Sequence, residues 1–331
     1  MVIAETAFTP IFSSMKAVVI NQNGDSSVLQ LQEVPQPVPD HHDVLIRVYA
    51  TSINPLDWKL REGISKILPG KFPKILGAEC AGEVAAVGLM VTDFQPGDRV
   101  VAEMGADGGG YAEYALVNEK NVVKLPDDID FVPAAAIPVA GLTALQALRD
   151  LGHLRPGDPV LINGAAGGVG TFAVQIAGIL GGRVTAVCSE SHAELVRRLG
   201  ANRVIDYQKT DFTLQPDRYR IIFDTVSKRS FTDCKKALTD DGVYIAAVPS
   251  ASQIFQDVVT TFTTQKAETV AMKFSKEDMQ WLLTLVAAGR LEPVIEHVYL
   301  LREIAKAHQH SESGHATGKL VVAINHTDEE K

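Results

Sequence analysis

The chain has 331 residues, of which 46% are hydrophobic and 21% charged, so it is long enough for two domains that each bury a core. Its 31 basic and 40 acidic residues give a formal net charge of −9, which disfavours nucleic acid or an anionic membrane as a partner. Three cysteines, Cys80, Cys188 and Cys234, have no metal-ligand spacing, which predicts a reducing, cytoplasmic location without disulfides.

The first half of the chain has the pattern of short strands. Residues 1–14 contain no lysine or arginine, so we expect a loosely held tail rather than a secretory signal. From Met15 onwards, apolar runs separated by Gly, Pro, Asn and Asp predict a mainly antiparallel β domain. Its predicted strands are Lys16–Ile20, Val44–Ile53, Glu83–Val87, Arg99–Ala102 and Ala112–Val117.

The periodicity changes at Ala134, where strands begin to alternate with helices. The apolar run Val132–Leu148 is interrupted by two prolines, so we expect a buried linker and a helix, Leu142–Leu151, and no membrane insertion. The alternation that follows is typical of a doubly wound parallel sheet. Its predicted strands are Val160–Asn163, Arg183–Val187, Arg203–Ile205, Ile221–Thr225 and Val243–Val248.

The last part of the chain is expected to return to the first domain. An amphipathic helix, Lys276–Ala288, is followed by a strand, a short helix and a strand within Val294–Ile324, which are too few residues to bury a core alone. We therefore divide the chain into a tail (1–14), a catalytic domain (15–138 with 275–331) and a nucleotide-binding domain (139–274).

A glycine-rich turn follows the first strand of the alternating part. Small residues allow the backbone of such a turn to approach a pyrophosphate, and the first turn of the next helix directs its N–H groups at the anion. The turn is formed by Ala165, Ala166, Gly167, Gly168, Val169 and Gly170. The sequence therefore predicts a dinucleotide site here.

Six segments in this order resemble the medium-chain dehydrogenase/reductase superfamily, and within it the zinc-independent quinone oxidoreductases of the chloroplast-envelope type. They are 54–59 (NPLDWK), 77–84 (GAECAGEV), 97–100 (GDRV), 138–144 (PVAGLTA), 165–170 (AAGGVG) and 314–319 (GHATGK). The resemblance covers Met15 to about Ile324. It implies a Rossmann-type sheet with a mainly β GroES-like catalytic domain, and an enzyme that reduces quinones or α,β-unsaturated carbonyls.

The resemblance also excludes the metal of the zinc-dependent members. Ala78 occupies the position of their histidine ligand, the first cysteine ligand falls within Ser52–Asn54, and Val101–Tyr114 lacks the four-cysteine lobe. His308 and His310 form an HxH pair, which we interpret as the surface end of a helix rather than a metal site. We therefore predict no metal.

The predicted cofactor is NADPH. No carboxylate stands at the end of the second parallel strand, where NAD-binding folds hold the ribose. The resemblance implies that Ser189, His192 and Tyr207 hold a 2′-phosphate, although Glu190 and the partial charge of a histidine leave NADH as the alternative. It implies further cofactor contacts at Asn54, Val139, Thr143, Thr225, Ala247, Val248 and Lys319. Asp224 either lines the cleft or orders a loop, and Lys319 either closes the cleft or lies on an exposed strand edge.

The resemblance implies that Lys59 and Asn54 are the catalytic residues. A conjugated carbonyl spreads the arriving charge onto oxygen, so a hydrogen-bond donor suffices in place of a Lewis acid. A turn sequence with a surface lysine is the alternative for this segment. Ile64, Ser65 and Lys66 follow Gly63 where enoyl-thioester reductases of the superfamily have a tyrosine, which disfavours that activity.

The alternatives to a quinone or enone reductase are an enoyl-thioester reductase and an NADPH-binding protein with a structural or sensing role. We expect a small electrophile as substrate. The resemblance implies a homodimer formed through the edge of the nucleotide-domain sheet, for which Glu268–Phe274 is the candidate stretch.

Overall fold

Two large β-sheets and a small one organise the part of the chain that the computed structural model describes, residues 13–63, 71–227, 229–247 and 264–326. The strands of the first half are β1 (Ser14–Ile20), β2 (Gln30–Pro35), β3 (Asp43–Ser52), β4 (Lys74–Ile75), β5 (Glu79–Val87), β6 (Arg99–Glu103), β7 (Tyr114–Asn118) and β8 (Val122–Lys124), and its helices are α1 (Pro55–Glu62) and α2 (Phe131–Ala134). Strands β2, β4 and β8 were not predicted. Four of the six residues of β2 are exposed, and β4 and β8 have only two and three residues.

The second sheet is parallel and has the strand order β11-β10-β9-β12-β13-β14. Its strands are β9 (Pro159–Asn163), β10 (Arg183–Cys188), β11 (Arg203–Asp206), β12 (Tyr219–Asp224), β13 (Leu238–Ala246) and β14 (Lys266–Thr269), and its helices are α3 (Pro138–Gln146), α4 (Gly168–Ile179), α5 (Ala193–Arg198) and α6 (Phe231–Cys234). The strand order reverses next to β9, which creates the crevice in which such sheets bind dinucleotides. The predicted doubly wound fold class is confirmed.

Helix α3 begins four residues earlier than predicted. Pro138 is its first residue, a position where the missing proline N–H has no helical partner to lose. The predicted end at Leu151 agrees with the structure, because a π-helical turn, Ala147–Leu151, continues the helix. The amide of Gly152 donates to the carbonyl of Ala147 at 2.9 Å. The predicted start at Leu142 is therefore wrong because the proline opens the helix instead of breaking it.

The last described part of the chain pairs with the first large sheet, which contains β3, β5, β6, β7 and β8. It contains α7 (Lys276–Ala287), β15 (Ile295–Leu300), α8 (Ile304–Glu312) and β16 (Lys319–Ala323). Strand β16 pairs antiparallel with β3, with Val321 opposite Ser52, and parallel with β15. This pairing brings 294–324 onto the first sheet, while the domain boundaries themselves stay a prediction.

One hydrophobic core joins the two large sheets. Buried residues of the seven-stranded sheet, such as Ala50 and Val101, belong to the same packed cluster as Ala165 of the glycine-rich turn and Phe172 of α4. The glycine-rich turn therefore lies where the two sheets meet. A bilayer-spanning helix requires about 20 apolar residues, and none of the helices in the described ranges meets that requirement.

Candidate active site

The glycine-rich turn connects β9 to α4 and has no room for a side chain at Gly164 and Gly170. A Cβ at Gly170 would lie 2.8 Å from the Cα of Ala165 and closer still to the carbonyl oxygen of Gly164. Gly164 has a φ of +78°, which L side chains rarely adopt. Helix α4 has the glycine Gly167 as its N-cap residue, so its first-turn N–H groups are left for an anion. The residues present fit a pyrophosphate.

Four predicted cofactor residues each follow directly after a strand of the parallel sheet. Ser189 follows β10, Tyr207 follows β11, Thr225 follows β12 and Ala247 follows β13. The carboxyl ends of these strands share one edge, so the four residues lie along the crevice. The hydroxyl of Thr225 donates to the carbonyl of Asn163 at 2.8 Å and thereby fixes the end of β9.

Asp224 orders the loop after β12. One carboxylate oxygen accepts from Asn163 Nδ2 at 2.9 Å and from the amides of Val226 and Ser227 at 3.0 and 2.9 Å. The other accepts from Tyr244 Oη at 3.0 Å. These contacts favour the alternative in which Asp224 orders a loop.

Ser189 and His192 form a hydrogen-bonded pair at the end of β10. Ser189 Oγ lies 2.9 Å from His192 Nδ1, and His192 Nε2 lies 3.0 Å from Thr317 Oγ1 in the segment before β16. Tyr207, with 55% of its surface exposed, and Lys209 stand on the next turn. Lys209 Nζ lies 3.1 Å from a carboxylate oxygen of Glu190. The sequence did not reveal Thr317 or Lys209 as members of this group.

A buried carboxylate, Glu79 at the start of β5, forms the centre of the opposite wall. Its Oε1 accepts from the hydroxyl of Ser52, from Asn54 Nδ2 at 2.8 Å and from Lys319 Nζ at 3.0 Å, and its Oε2 accepts from the amide of Val139 at 2.7 Å. Glu79 and Lys319 are 0% and 3% exposed. Four donors, one of them an ammonium, compensate the charge that burial would otherwise make costly.

Lys319 does not lie on an exposed strand edge, because its side chain crosses the glycine-rich turn into the interior. Its ammonium also donates to Asn54 Oδ1 at 2.7 Å. A Cβ at Gly168 would lie 3.1 Å from its Cδ, and the preceding residue, Gly318, donates its amide to the carbonyl of Ala166 at 2.7 Å. The C-terminal segment therefore lies directly against the turn.

Asn54 is held at both ends of its carboxamide and at its backbone. Lys319 and Glu79 fix the carboxamide oxygen and nitrogen, and the amide N–H donates to Asp57 Oδ2 at 2.8 Å. Burial raises the pKa of Asp57 to about 7, against the hydrogen bonds from Asn54 and Tyr111, which lower it. Asn54 keeps one side-chain N–H that these contacts do not use.

Lys59 lies on the second turn of α1, outside this group. Its ammonium is 5.5 Å from the ring centre of Trp58, and partial burial lowers its pKa. Within the described ranges, the hydrogen bonds of Asn54 and Glu79 do not include Lys59. The structure therefore brings together Asn54, Val139 and Lys319 but leaves Lys59 apart from them.

Thr143 and Val139 lie at the start of α3. The hydroxyl of Thr143 donates to the carbonyl of Val139 at 2.6 Å, so it is engaged with its own helix. Val248, a predicted cofactor contact, lies outside the described residues. So does Ile64–Lys66, the segment that disfavours an enoyl-thioester reductase.

The HxH pair does not form a common site. His308 is fully buried, so the expected surface position is wrong for it: α8 packs this face against α1. Its Nδ1 lies 3.1 Å from Arg61 and its Nε2 3.2 Å from Tyr111 Oη, whereas His310 Nδ1 lies 2.8 Å from Tyr299 Oη. Among the described residues, no group of three or more His, Cys, Asp or Glu side chains could hold a metal ion.

Two family descriptions match this chain. Residues 40–127 match the alcohol dehydrogenase GroES-like domain, and residues 199–322 match the zinc-binding dehydrogenases. Curated relatives cover almost the full chain. The chloroplast envelope quinone oxidoreductase homolog of Arabidopsis thaliana is 35% identical over 90% of this chain and 95% of its own length. The NADPH-dependent alkenal/one oxidoreductase of the same organism is 33% identical over 96% and 81%.

Solved structures share the fold. The quinone oxidoreductase from Coxiella burnetii superposes with a TM-score of 0.89 at 31% identity and covers 95% of this chain and 100% of its own. Sequence and structure thus point to the same group of proteins.

Proposed function

The chain belongs to the medium-chain dehydrogenase/reductase superfamily, and we propose that it is a zinc-independent NADPH-dependent reductase of quinones and α,β-unsaturated carbonyls. The relatives named above include a quinone oxidoreductase homolog and an alkenal/one oxidoreductase, which share a conjugated carbonyl as electron acceptor. A small molecule of this class is the expected substrate.

The observation that carries the proposal is the buried ion pair of Glu79 and Lys319. Zinc requires neutral imidazole, thiolate or carboxylate ligands. Ala78 offers no ligand, and both carboxylate oxygens of Glu79 already accept from protein donors. A fixed ammonium stands beside the carboxylate, so the residues of this wall do not fit a metal.

The crevice opposite this wall fits a nicotinamide dinucleotide. The glycine-rich turn and the first turn of α4 would hold the pyrophosphate, and Thr225 and Ala247 would border the ribose and nicotinamide. When bound, the reduced cofactor supplies a hydride to the carbon conjugated with the substrate carbonyl.

Preference for NADPH is supported by the charges beyond β10. Glu190 and Asp206, two acidic residues that disfavour a phosphate, are both paired with Lys209, at 3.1 and 3.5 Å. The ammonium of Lys209 and the hydroxyl of Ser189 then offer a cation and a donor for a 2′-phosphate, while the strand end itself carries no carboxylate. Tyr207 and His192 border the same space.

Asn54 and Lys59 are the proposed catalytic residues. The free side-chain N–H of Asn54 donates to the substrate carbonyl or to the nicotinamide amide, and its orientation is fixed in advance by Lys319 and Glu79. The lowered pKa of Lys59 makes its ammonium a better proton donor than an exposed lysine, and we assign it the stabilisation of the enolate oxygen. Val139 and Thr143 would line the cleft on the α3 side.

The test compares three electrophiles, menadione, an alkenone and an enoyl-thioester, with NADPH and with NADH. We expect higher kcat/KM for the first two with NADPH, unchanged by prior treatment with a metal chelator. Preference for the thioester would favour an enoyl-thioester reductase. Tight NADPH binding without oxidation would favour a structural or sensing protein, and equal efficiency with NADH would refute the cofactor assignment.

Variants of the catalytic residues sharpen this test. Replacing Lys59 by Met keeps its length and removes the ammonium, and we expect kcat to fall about tenfold or more, the range of a lost proton donor. Lys306→Met, an exposed lysine on α8 with a side-chain exposure of 71%, is the matched control and should leave kcat unchanged. Unchanged turnover in the Lys59 variant would contradict its role.

We further propose a homodimer and a cytoplasmic location. Strand β14 pairs with β13 and forms one edge of the parallel sheet in the described ranges, so a second copy could extend the sheet there. The three cysteines are buried and free, which suits a reducing compartment, although the named relatives are chloroplastic. Sedimentation analysis and cell fractionation test these two statements.

A further inference from the structure

A row of buried side chains connects the candidate active site with the protein surface behind it. The Tyr111 hydroxyl faces the carboxyl of Asp57 on α1 and lowers its pKa, Tyr111 Oη lies 3.2 Å from His308 Nε2, and His308 Nδ1 lies 3.1 Å from an Arg61 nitrogen. Arg61 in turn pairs with Glu312 at 2.5 Å. The first four residues are at most 1% exposed, whereas the side chain of Glu312 is 27% exposed.

Chemistry fixes the direction of every hydrogen bond in this row. A guanidinium can only donate, so the Nδ1 of His308 is an acceptor and its proton is on Nε2. That proton is donated to Tyr111 Oη, which leaves the tyrosine hydrogen for Asp57. Burial, and secondarily Arg61, lowers the pKa of His308 to about 3, so the imidazole is neutral at physiological pH. The row therefore ends in a single acceptor, the carboxylate of Asp57.

This carboxylate also holds the backbone of Asn54. Asp57 Oδ2 accepts the Asn54 amide at 2.8 Å, three residues earlier in the chain, and so fixes where α1 begins. Rotation of this carboxylate would break its hydrogen bond with the Asn54 amide. A shift of α1 at this point would displace the carboxamide of Asn54 from Lys319 and Glu79.

We propose that Tyr111, His308 and Arg61 are positioning residues for the reduction, which act through Asp57 on the placement of Asn54. The inference rests on the proposed function for its kinetic consequence, while the positioning itself can be measured on the protein without substrate. None of the three is assigned a contact with the substrate or cofactor.

The charges around Asp57 give the proposal a pH signature. The groups that face Asp57 from the packed elements are Tyr111, Glu79 on β5 and Lys319 on β16. Those around His308 and Arg61 are Tyr111, Asp25, Glu62 and Glu312. The Tyr111 hydroxyl stabilises the ionised form of Asp57. Its removal raises the pKa of Asp57 further above about 7, so the acidic limb of the kcat profile moves to higher pH.

The experiment uses three variants and one control. Tyr111→Phe removes the donor to Asp57, and His308→Leu removes the donor to Tyr111 and the acceptor for Arg61. His308→Gln keeps one donor and one acceptor and is the conservative rescue. The control is His310→Gln on the same helix, whose imidazole instead contacts Tyr299 and Glu296.

We expect kcat with menadione to fall about tenfold or more in Tyr111→Phe and His308→Leu, with a shifted acidic limb and a KM for NADPH changed by about twofold or less. His308→Gln should recover most of kcat, and the control should match the wild type. Unchanged kcat and unchanged pH profiles in the two disrupting variants would overturn the proposal. Tyr111→Phe loses one oxygen only, so it remains informative where His308→Leu fails to fold.

Amide hydrogen exchange at Asn54 separates this proposal from the proposed function. We expect faster exchange of the Asn54 amide in Tyr111→Phe, with unchanged exchange in the parallel sheet. If the wild type reduces no quinone or enone but the Asn54 amide still exchanges faster in Tyr111→Phe, the proposed function is refuted and the positioning role is supported. Protection equal to that of the wild type would refute the positioning directly.

Discussion

Breaking the buried ion pair of Glu79 and Lys319 should destabilise the protein strongly. The two charges lie 3.0 Å apart, and both side chains are almost fully buried, at 0% and 3% exposure. Removing one partner of a buried pair costs about 3–5 kcal/mol because the other charge loses its counter-ion. We therefore expect Glu79→Gln or Lys319→Met to remove a large part of a stability that is roughly 5–15 kcal/mol in a typical protein.

The double variant Glu79→Gln/Lys319→Met leaves neither charge. Its loss of unfolding free energy should therefore be smaller than the sum of the losses in the two single variants by about 2 kcal/mol or more. Urea unfolding followed by circular dichroism gives all three values. Lys306→Met, which breaks an exposed pair with Glu303 at 3.3 Å, is the control and should cost about 1 kcal/mol or less. Single losses that add without coupling would refute the claim that the pair acts as a unit.

Three further outcomes follow from the structure. Gly170→Ala should abolish NADPH binding, measured by fluorescence titration, because its Cβ would collide with Gly164, whereas Gly178→Ala on the same helix has nothing within 4 Å and should bind normally. Lys209→Met should raise the KM for NADPH about fivefold and leave that for NADH unchanged, and equal effects on both would contradict its role. His308 binds a proton below pH 6.5 when unfolded but only near pH 3 when folded, so its contribution to stability falls as the pH drops through this window. Between about pH 7 and 5, the free energy of unfolding measured in urea should fall by about 2 kcal/mol more in the wild type than in His308→Gln. An equal dependence of this free energy on pH in the two proteins would refute the prediction.

Local chemistry made the cofactor side of the cleft predictable. The turn 165–170 requires small residues within six positions, and the strands around it are short apolar runs whose period shows in the sequence. The residues after each parallel strand, such as Ser189 and Thr225, could be placed from strand ends alone, because parallel strands end at a common edge.

The opposite wall depends on contacts between distant residues. Glu79 and Lys319 are 240 positions apart, and Tyr111 and His308 are 197 apart, so no local pattern joins them. One signal was present in the sequence: Glu79 opens a strand of mainly apolar residues, and a buried carboxylate requires donors. The identity of those donors required the fold.

His308 shows how a motif can mislead in isolation. Two histidines two residues apart suggest either a metal pair or a polar helix end, yet α8 directs them to different neighbours. Residues two apart on a helix do not face each other, which separates their partners. Because His308 is buried against α1, its imidazole is neutral and connects Arg61 with Tyr111.

Isotope transfer tests the central claim most directly. NADPH carrying deuterium at its transferable position is incubated with the protein and an alkenone, and the product is analysed by mass spectrometry and NMR. A reductase of conjugated carbonyls should place one deuterium on the carbon β to the carbonyl, with the second hydrogen derived from solvent. Oxidation of NADPH without label in the product, or no oxidation while NADPH binds, would contradict the proposed reaction.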